Sequence, residues 1–150
     1  MQRKKRIYLD NCCFNRPFDD QSFLTVKLET EAKLDVQEKI ITRQLSLGWS
    51  YILDYENAAN PFSERHDEIQ LWKELADAFV EETQEVLSDM NTLILKGLKP
   101  VDALHIACAK ALNCEYFLTV DKGILKRANL VTNIKIMNPI DFVIELEEQR

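Results

Sequence analysis

The sequence predicts an α/β fold, a mainly parallel central sheet of four to five strands flanked by helices. Three observations predict it. Short β-rich runs alternate with stretches of helical periodicity along the chain, the order expected of parallel strands joined by crossover helices. The stretch Pro100–Leu112 is apolar on nearly every face, broken only by Asp102, His105 and Lys110, and such a helix is normally buried. The run Tyr116–Val120 behind it reads as a short buried strand.

In order, residues 3–6 (RKKR) read as a solvated basic tail, with a phosphate-backbone contact as the alternative. Ile7–Leu9 is the first strand and stops at Asp10. Asn11, Cys12 and Cys13 open a loop whose Asn15-Arg16-Pro17 and Asp19-Asp20 are turn chemistry. From Leu24 to Leu47 the pattern is helical, with Leu28, Ala32, Val36 and Ile40 stepping by four and Ile41 and Leu45 extending the stripe. Gly48 then stands where a helix C-cap belongs. Trp49–Leu53 reads as the second strand, followed by a helical segment from Asp54 that breaks at Asn60-Pro61. A helix from Ser63 presents Ile69, Trp72, Leu75, Ala76 and Phe79 on one face. Phe79-Val80 reads either as its last turn or as a short edge strand. Thr83 is a candidate N-cap for a helix through Val86, Met90, Leu93 and Ile94 that closes at Gly97. After the buried helix and its strand, Asp121 caps a short helix. Ile134–Met137 is the last strand, and Asn138-Pro139 opens a final helix to the polar end LEEQR.

With 150 residues, 46% hydrophobic and 29% charged, one domain over residues 1–150 is expected, able to bury a core without disulfides. No apolar run approaches bilayer thickness, and the first ten residues lack the apolar core of a signal peptide, so a soluble cytoplasmic protein is expected. Cys12, Cys13, Cys108 and Cys114 lack the spacing of a zinc site and read as reduced thiols. A net charge of −6 argues against a broad basic surface that grips nucleic acid. It is compatible with an acidic pocket that holds divalent cations inside a local basic rim.

Four acids stand out. Asp10 follows the first strand and alone fits a solvated turn. Glu56 follows the second, where an acid favours the helix dipole. Asp102 sits two residues after Pro100, ordinary helix-start chemistry. Asp121 fits a plain N-cap, worth roughly 1 kcal/mol. Together they read differently, because in a parallel α/β sheet these points can share the carboxyl edge, where ligands bind. Four converging carboxylates repel one another unless a cation neutralises them. Oxygen donors without paired His or Cys point to Mg²⁺ or Mn²⁺. His105 shares a helix face with Asp102 and reads as a hydrogen-bonded core imidazole, with a role holding Asp102 as the alternative. There are only three glycines, no Gly-rich phosphate loop and no Ser-centred elbow.

The segments IYLDN (7–11), Glu56, PVDALHIACAKAL (100–112), FLTVD (117–121) and MNPIDF (137–142) resemble the PIN-domain ribonucleases, near the VapC-type toxin branch. The pairing of DALHIACA with TVD is the specific part. The resemblance implies a three-layer sandwich that binds Mg²⁺ or Mn²⁺ through Asp10, Glu56, Asp102 and Asp121 and cuts single-stranded RNA with a metal-activated water. By the same likeness Thr119 matches a supporting hydroxyl, and Asn11 stands where the family usually has Thr or Ser. A homodimer and a small antitoxin protein are the partners it implies. Two rival readings remain: a catalytically weak PIN-fold binding module acting through a protein partner, and a phospho-acceptor at Asp10. The second lacks the expected Asp-x-Asp pattern, because Cys12 stands two residues on.

Overall fold

The computed structural model describes residues 4–149. Arg3 of the basic patch and Arg150 of the polar end lie outside the described residues. The sheet has five strands, β1 (Lys5–Leu9), β2 (Leu45–Ser50), β3 (Ala78–Val80), β4 (Tyr116–Leu118) and β5 (Lys135–Met137), in the order β3-β2-β1-β4-β5. Every pairing is parallel, with Ile7 opposite Leu47 on one side and Tyr116 on the other. The helices are α1 (Asn11–Asn15), α2 (Leu24–Ile41), α3 (Tyr51–Ala58), α4 (Ser63–Glu74), α5 (Gln84–Leu95), α6 (Pro100–Ala111), α7 (Lys122–Leu125) and α8 (Pro139–Glu148).

Strand alternation gives the layers. Tyr8 stacks on Phe117 and meets His105 of α6, so α6 covers that face. Trp49 points the other way and packs on Phe14 of α1. Helix α2 packs on α8, and α5 on α6, two pairs that flank the sheet. The three-layer α/β sandwich is therefore as the sequence predicts. The core runs along β1, whose Ile7, Tyr8 and Leu9 are fully buried. The strand order reverses between β1 and β4, which places the crevice for a ligand at their carboxyl ends.

Several local expectations are corrected. The basic patch is no free tail, because Lys5 and Arg6 lie in β1 and Arg6 donates to Leu112 O at 2.7 Å and Ser46 Oγ at 3.2 Å. The expected loop from Asn11 is helical. Asp10 caps α1, Cys13 and Phe14 anchor it in the core, and a 3-10 turn follows with Pro17 near its start. Turn-type residues conceal the apolar pair that decides the outcome.

The long helix ends at Ile41, and Leu45 and Leu47 belong to β2. Its stop is Arg43, left-handed at φ 66. Arg43 N donates to Ile40 O and Gln44 N to Lys39 O, the two bonds of a Schellman motif normally built on Gly or Asn. The buried face of α2 keeps Val36 and Ile40 of the apolar stripe but not its first member. Leu28 is exposed, while Glu29, Lys33, Val36, Gln37 and Ile40 are buried. Glu29 lies inside because Arg16 donates to it at 2.8 Å and Asn138 at 2.5 Å.

Gly48 is mid-strand rather than a cap. A Cβ there would stand 2.9 Å from Cys114 Sγ and 3.1 Å from Leu112 Cδ1, so the glycine lets β2 approach the segment after α6. The second strand therefore ends at Ser50, whose Oγ accepts from Leu53 N and starts α3 three residues before the expected Asp54. Asp54 instead accepts from Trp49 Nε1 at 2.9 Å and pairs with Lys73 at 2.9 Å. Phe79-Val80 is the edge strand β3. Thr83, Asp121 and Asn138 all cap helices as expected, and β4 stops at Leu118 rather than Val120.

Candidate active site

Asp10 leaves β1 at the reversal point and is 7% exposed. Its Oδ1 accepts from Asn11 N at 2.9 Å and its Oδ2 from Thr119 Oγ1 at 2.8 Å. The Cys12 thiol adds a longer contact to Oδ2 at 3.4 Å. A carboxylate so supplied with donors tolerates burial. Thr119 Oγ1 also accepts from Asp121 N at 3.1 Å, so one buried hydroxyl ties the end of β1 to the segment after β4.

Asp121 caps α7 through Oδ1, which accepts from Ile124 N at 3.1 Å, and is itself exposed. A Cβ at position 123 would stand 3.0 Å from that oxygen, so Gly123 keeps it uncrowded. Asp102 lies in the first turn of α6, half-buried. Burial, then the charges of Asp10 and Asp121, push its carboxyl up to about 6, against weaker opposition from His105 and Lys99. Three of the predicted acids therefore sit close enough to feel one another.

Glu56 is placed differently. It lies in the second turn of α3, and its Oε1 is 2.5 Å from His105 Nε2. That nitrogen is also 3.9 Å from Asp10 Oδ1. On its other side, His105 Nδ1 lies 2.6 Å from Tyr8 Oη, which lies 2.6 Å from Ser50 Oγ. Burial opposes a charge on the imidazole, but the bond to Glu56 and the charges of Asp10, Glu56 and Asp102 outweigh it and raise its pKa. As imidazolium, His105 donates from Nε2 to Glu56 and from Nδ1 to Tyr8, and Tyr8 donates on to Ser50. Tyr8 stays a phenol, since burial drives its pKa well above the ordinary value. His105 thus serves Glu56, not Asp102.

The sequence reading missed this column. Its one readable trace is Tyr8, a hydroxyl inside an otherwise apolar strand two residues before Asp10. Asn11 assists through its backbone N–H, while its own Oδ1 is buried without a partner among the described residues. The four cysteines are free thiols, and Cys12 lies at the site rather than in the core.

Among the described residues, no three His, Cys, Asp or Glu side chains form a ready-made ion cage. The donor set nevertheless suits a hard dication. Asp10, Asp102 and Asp121 offer only oxygen, and such an ion would relieve both the burial of charge and the like charges that raise the Asp102 carboxyl. Glu56, engaged by His105, fits less directly.

A family model described as the PIN domain matches residues 7–130. The MNPIDF segment lies beyond that range. No curated protein matches the chain. Among solved structures, the chain is similar to VapBC2 from Rickettsia felis, crystallised bound to a DNA fragment from the promoter, at 14% identity and a TM-score of 0.55. The likeness covers 89% of this chain and 98% of that one, and at such identity it speaks for the fold. PIN domains are generally nucleases and generally use divalent metal ions. The family match takes in all four acids, β1 from Ile7 onward, β2 to β4 and the reversal point where Asp10 and Asp121 stand, and the chain belongs to the PIN-domain family.

Proposed function

We propose that this chain is a Mg²⁺- or Mn²⁺-dependent endoribonuclease that cuts single-stranded RNA in the cytoplasm, acting as one domain over residues 1–150. The observation that carries the reading is the convergence of Asp10 and Asp121, after β1 and β4, with Asp102 at the start of α6, where burial and then the charges of the other two acids raise the Asp102 carboxyl. A dication held by these three acids would supply a polarised water and neutralise charge on the phosphodiester. Thr119 and the Asn11 amide fix the Asp10 carboxylate, and the α7 cap fixes Asp121. Glu56, tethered through Oε1, offers Oε2 to take the proton of the attacking water. Tyr8 and His105 keep that carboxylate from swinging away.

The toxin role in a type II pair belongs to the same proposal, with a small antitoxin protein and a homodimer as partners. The VapBC2 likeness supports it at the level of fold. No helix among the described residues is long and apolar enough to cross a membrane. The test is cleavage of a mixed single-stranded RNA pool with Mg²⁺ or Mn²⁺, comparing the wild type with Asp102→Asn. Ion-dependent cutting by the wild type alone supports the mechanism, and equal cutting by both removes it.

One observation favours the second reading, a weak binding module: Glu56 is already paired with His105. Calorimetric titration with Mn²⁺ separates the two, because a module of that kind gives no binding heat where a nuclease does.

A further inference from the structure

Beside the acids runs a small cleft of about 50 Å³, lined by Gly97, Lys99, Asp102, Asp121, Gly123 and Arg127. It joins two of the proposed metal acids to two cations. A protein of net charge −6 repels a polyanion, so RNA must find cations locally. Cations that merely neutralised the acids would be paired with them. Among the described residues, neither Lys99 nor Arg127 has a carboxylate within ion-pair distance. Both line the cleft, so their charge is available to a ligand seated there.

Arg127 is also held in place. Its Nη1 donates to Gly123 O at 3.1 Å. Its shaft runs past Gly97, where a Cβ would stand 3.4 Å from Nε. Gly97 has φ 103, a conformation open to glycine, so the turn that seats the guanidinium excludes other residues. One nitrogen of the fork is used by the protein, and the rest of this planar donor set suits phosphate oxygens. Lys99 adds a point charge from the residue before α6.

We propose that Lys99 and Arg127 form the phosphate-gripping rim of the crevice, holding a backbone phosphate of single-stranded RNA beside Asp102 and Asp121. The inference rests on the nuclease reading and adds the residues that hold its substrate. The acids take the ion, and the rim takes the charge that the ion leaves over on the phosphate. Lys99 and Arg127 orient the RNA and touch no reacting proton.

The test is fluorescence anisotropy with a labelled single-stranded RNA in chelator, where nothing is cut, on wild type, Lys99→Ala, Arg127→Ala, the double variant and Arg127→Lys. The double variant is expected to bind at least about fivefold more weakly and to flatten the salt dependence by roughly one to two phosphate contacts. Arg127→Lys recovers part of the loss. Mn²⁺ binding by calorimetry is not weakened, since loss of two cations beside the acids favours the ion, and the melting temperature stays at the wild-type value. With Mn²⁺ present, the loss appears in KM more than in kcat.

Unchanged RNA affinity and salt slope in the double variant would overturn the rim, as would a wild type that fails to bind RNA. So would full displacement of RNA by inorganic phosphate at matched ionic strength, which would give the rim to the free anion. Failure here leaves Asp102→Asn still inactive if the nuclease reading holds, whereas failure of that reading shows as cutting by Asp102→Asn.

Discussion

Thr119 Oγ1 lies 2.8 Å from Asp10 Oδ2 and 3.1 Å from Asp121 N, so a single hydroxyl donates to one candidate ion ligand and accepts from the backbone of another. Thr119→Val keeps the shape and removes both bonds. It leaves a buried carboxylate oxygen short of its donor, a loss of roughly 1–3 kcal/mol. Urea unfolding should show that loss, and Mn²⁺ affinity should fall with it, while Thr119→Ser retains most of both. A valine variant indistinguishable from wild type in both measurements would show that Asp10 needs no such support.

Asp102 gives a pH signature in ion-free protein. Its carboxyl is raised to about 6 in the fold against an ordinary 3.8, so the folded chain holds that proton more tightly than the unfolded chain. Stability from this group is therefore present below the ordinary value and lost as pH rises through 6. After allowance for solvent screening, the loss is on the order of 1–2 kcal/mol. Asp102→Asn should raise the melting temperature at pH 7.5 in chelator and change it little at pH 4. Saturating Mn²⁺ should reverse the order at pH 7.5. An asparagine variant less stable than wild type in chelator at pH 7.5 would contradict the electrostatic picture.

Lys33 is a buried cation with two aromatic neighbours, its ammonium 5.7 Å from the Phe14 ring centre and 5.9 Å from that of Trp72. Burial pulls its pKa down to about 8 from 10.5, partly offset by Glu68. The unfolded chain thus keeps the proton more readily, and the cost of charge is full below pH 8 and fades as pH rises toward 10.5. That cost is on the order of 3 kcal/mol, reduced by the cation–π contacts. Lys33→Met should be about 1–3 kcal/mol more stable at pH 7 in guanidinium unfolding, with a smaller gap at pH 9.5. A gap independent of pH would mean that the lysine is not the cause.

Gly48→Ala should cost about 1–3 kcal/mol, because its methyl meets Cys114 Sγ and Leu112 Cδ1 inside a packed core. Pairing it with Cys114→Ala should return much of the loss, since the closest collision disappears. Additive losses in that double-mutant cycle would place the strain elsewhere.

The sheet and the acids were legible in the sequence for different reasons. Alternation of periods gives the parallel fold, and Pro100, Thr83, Asn138 and Asp121 announce their helices through local capping chemistry. The α2–β2 boundary was not legible, because Leu45 continues the four-residue step from Ile41 while the stop signal is a left-handed arginine. The buried face of α2 was legible at Val36 and Ile40 but hidden at its polar members, since Glu29 lies inside only when Arg16 and Asn138 arrive from other elements. At the site, Asp10, Asp102 and Asp121 were readable from their places after strands and at helix starts. The Tyr8–His105–Glu56 column was not, because it joins three elements through contacts that no local pattern encodes.

The placement of β1 in the middle of the sheet has a consequence for synthesis. Asp10 and Thr119 are 109 positions apart, and β4, which pairs with β1, is made long after it. Contacts of such long sequence separation close slowly and only after most of the polypeptide exists. A nascent chain on the ribosome therefore carries Asp10 without Thr119 and Asp121 until the residues beyond Asp121 have emerged. A chain cut short before residue 119 lacks both the hydroxyl that braces Asp10 and the backbone that carries Asp121, so the candidate crevice assembles only after β4 has been made.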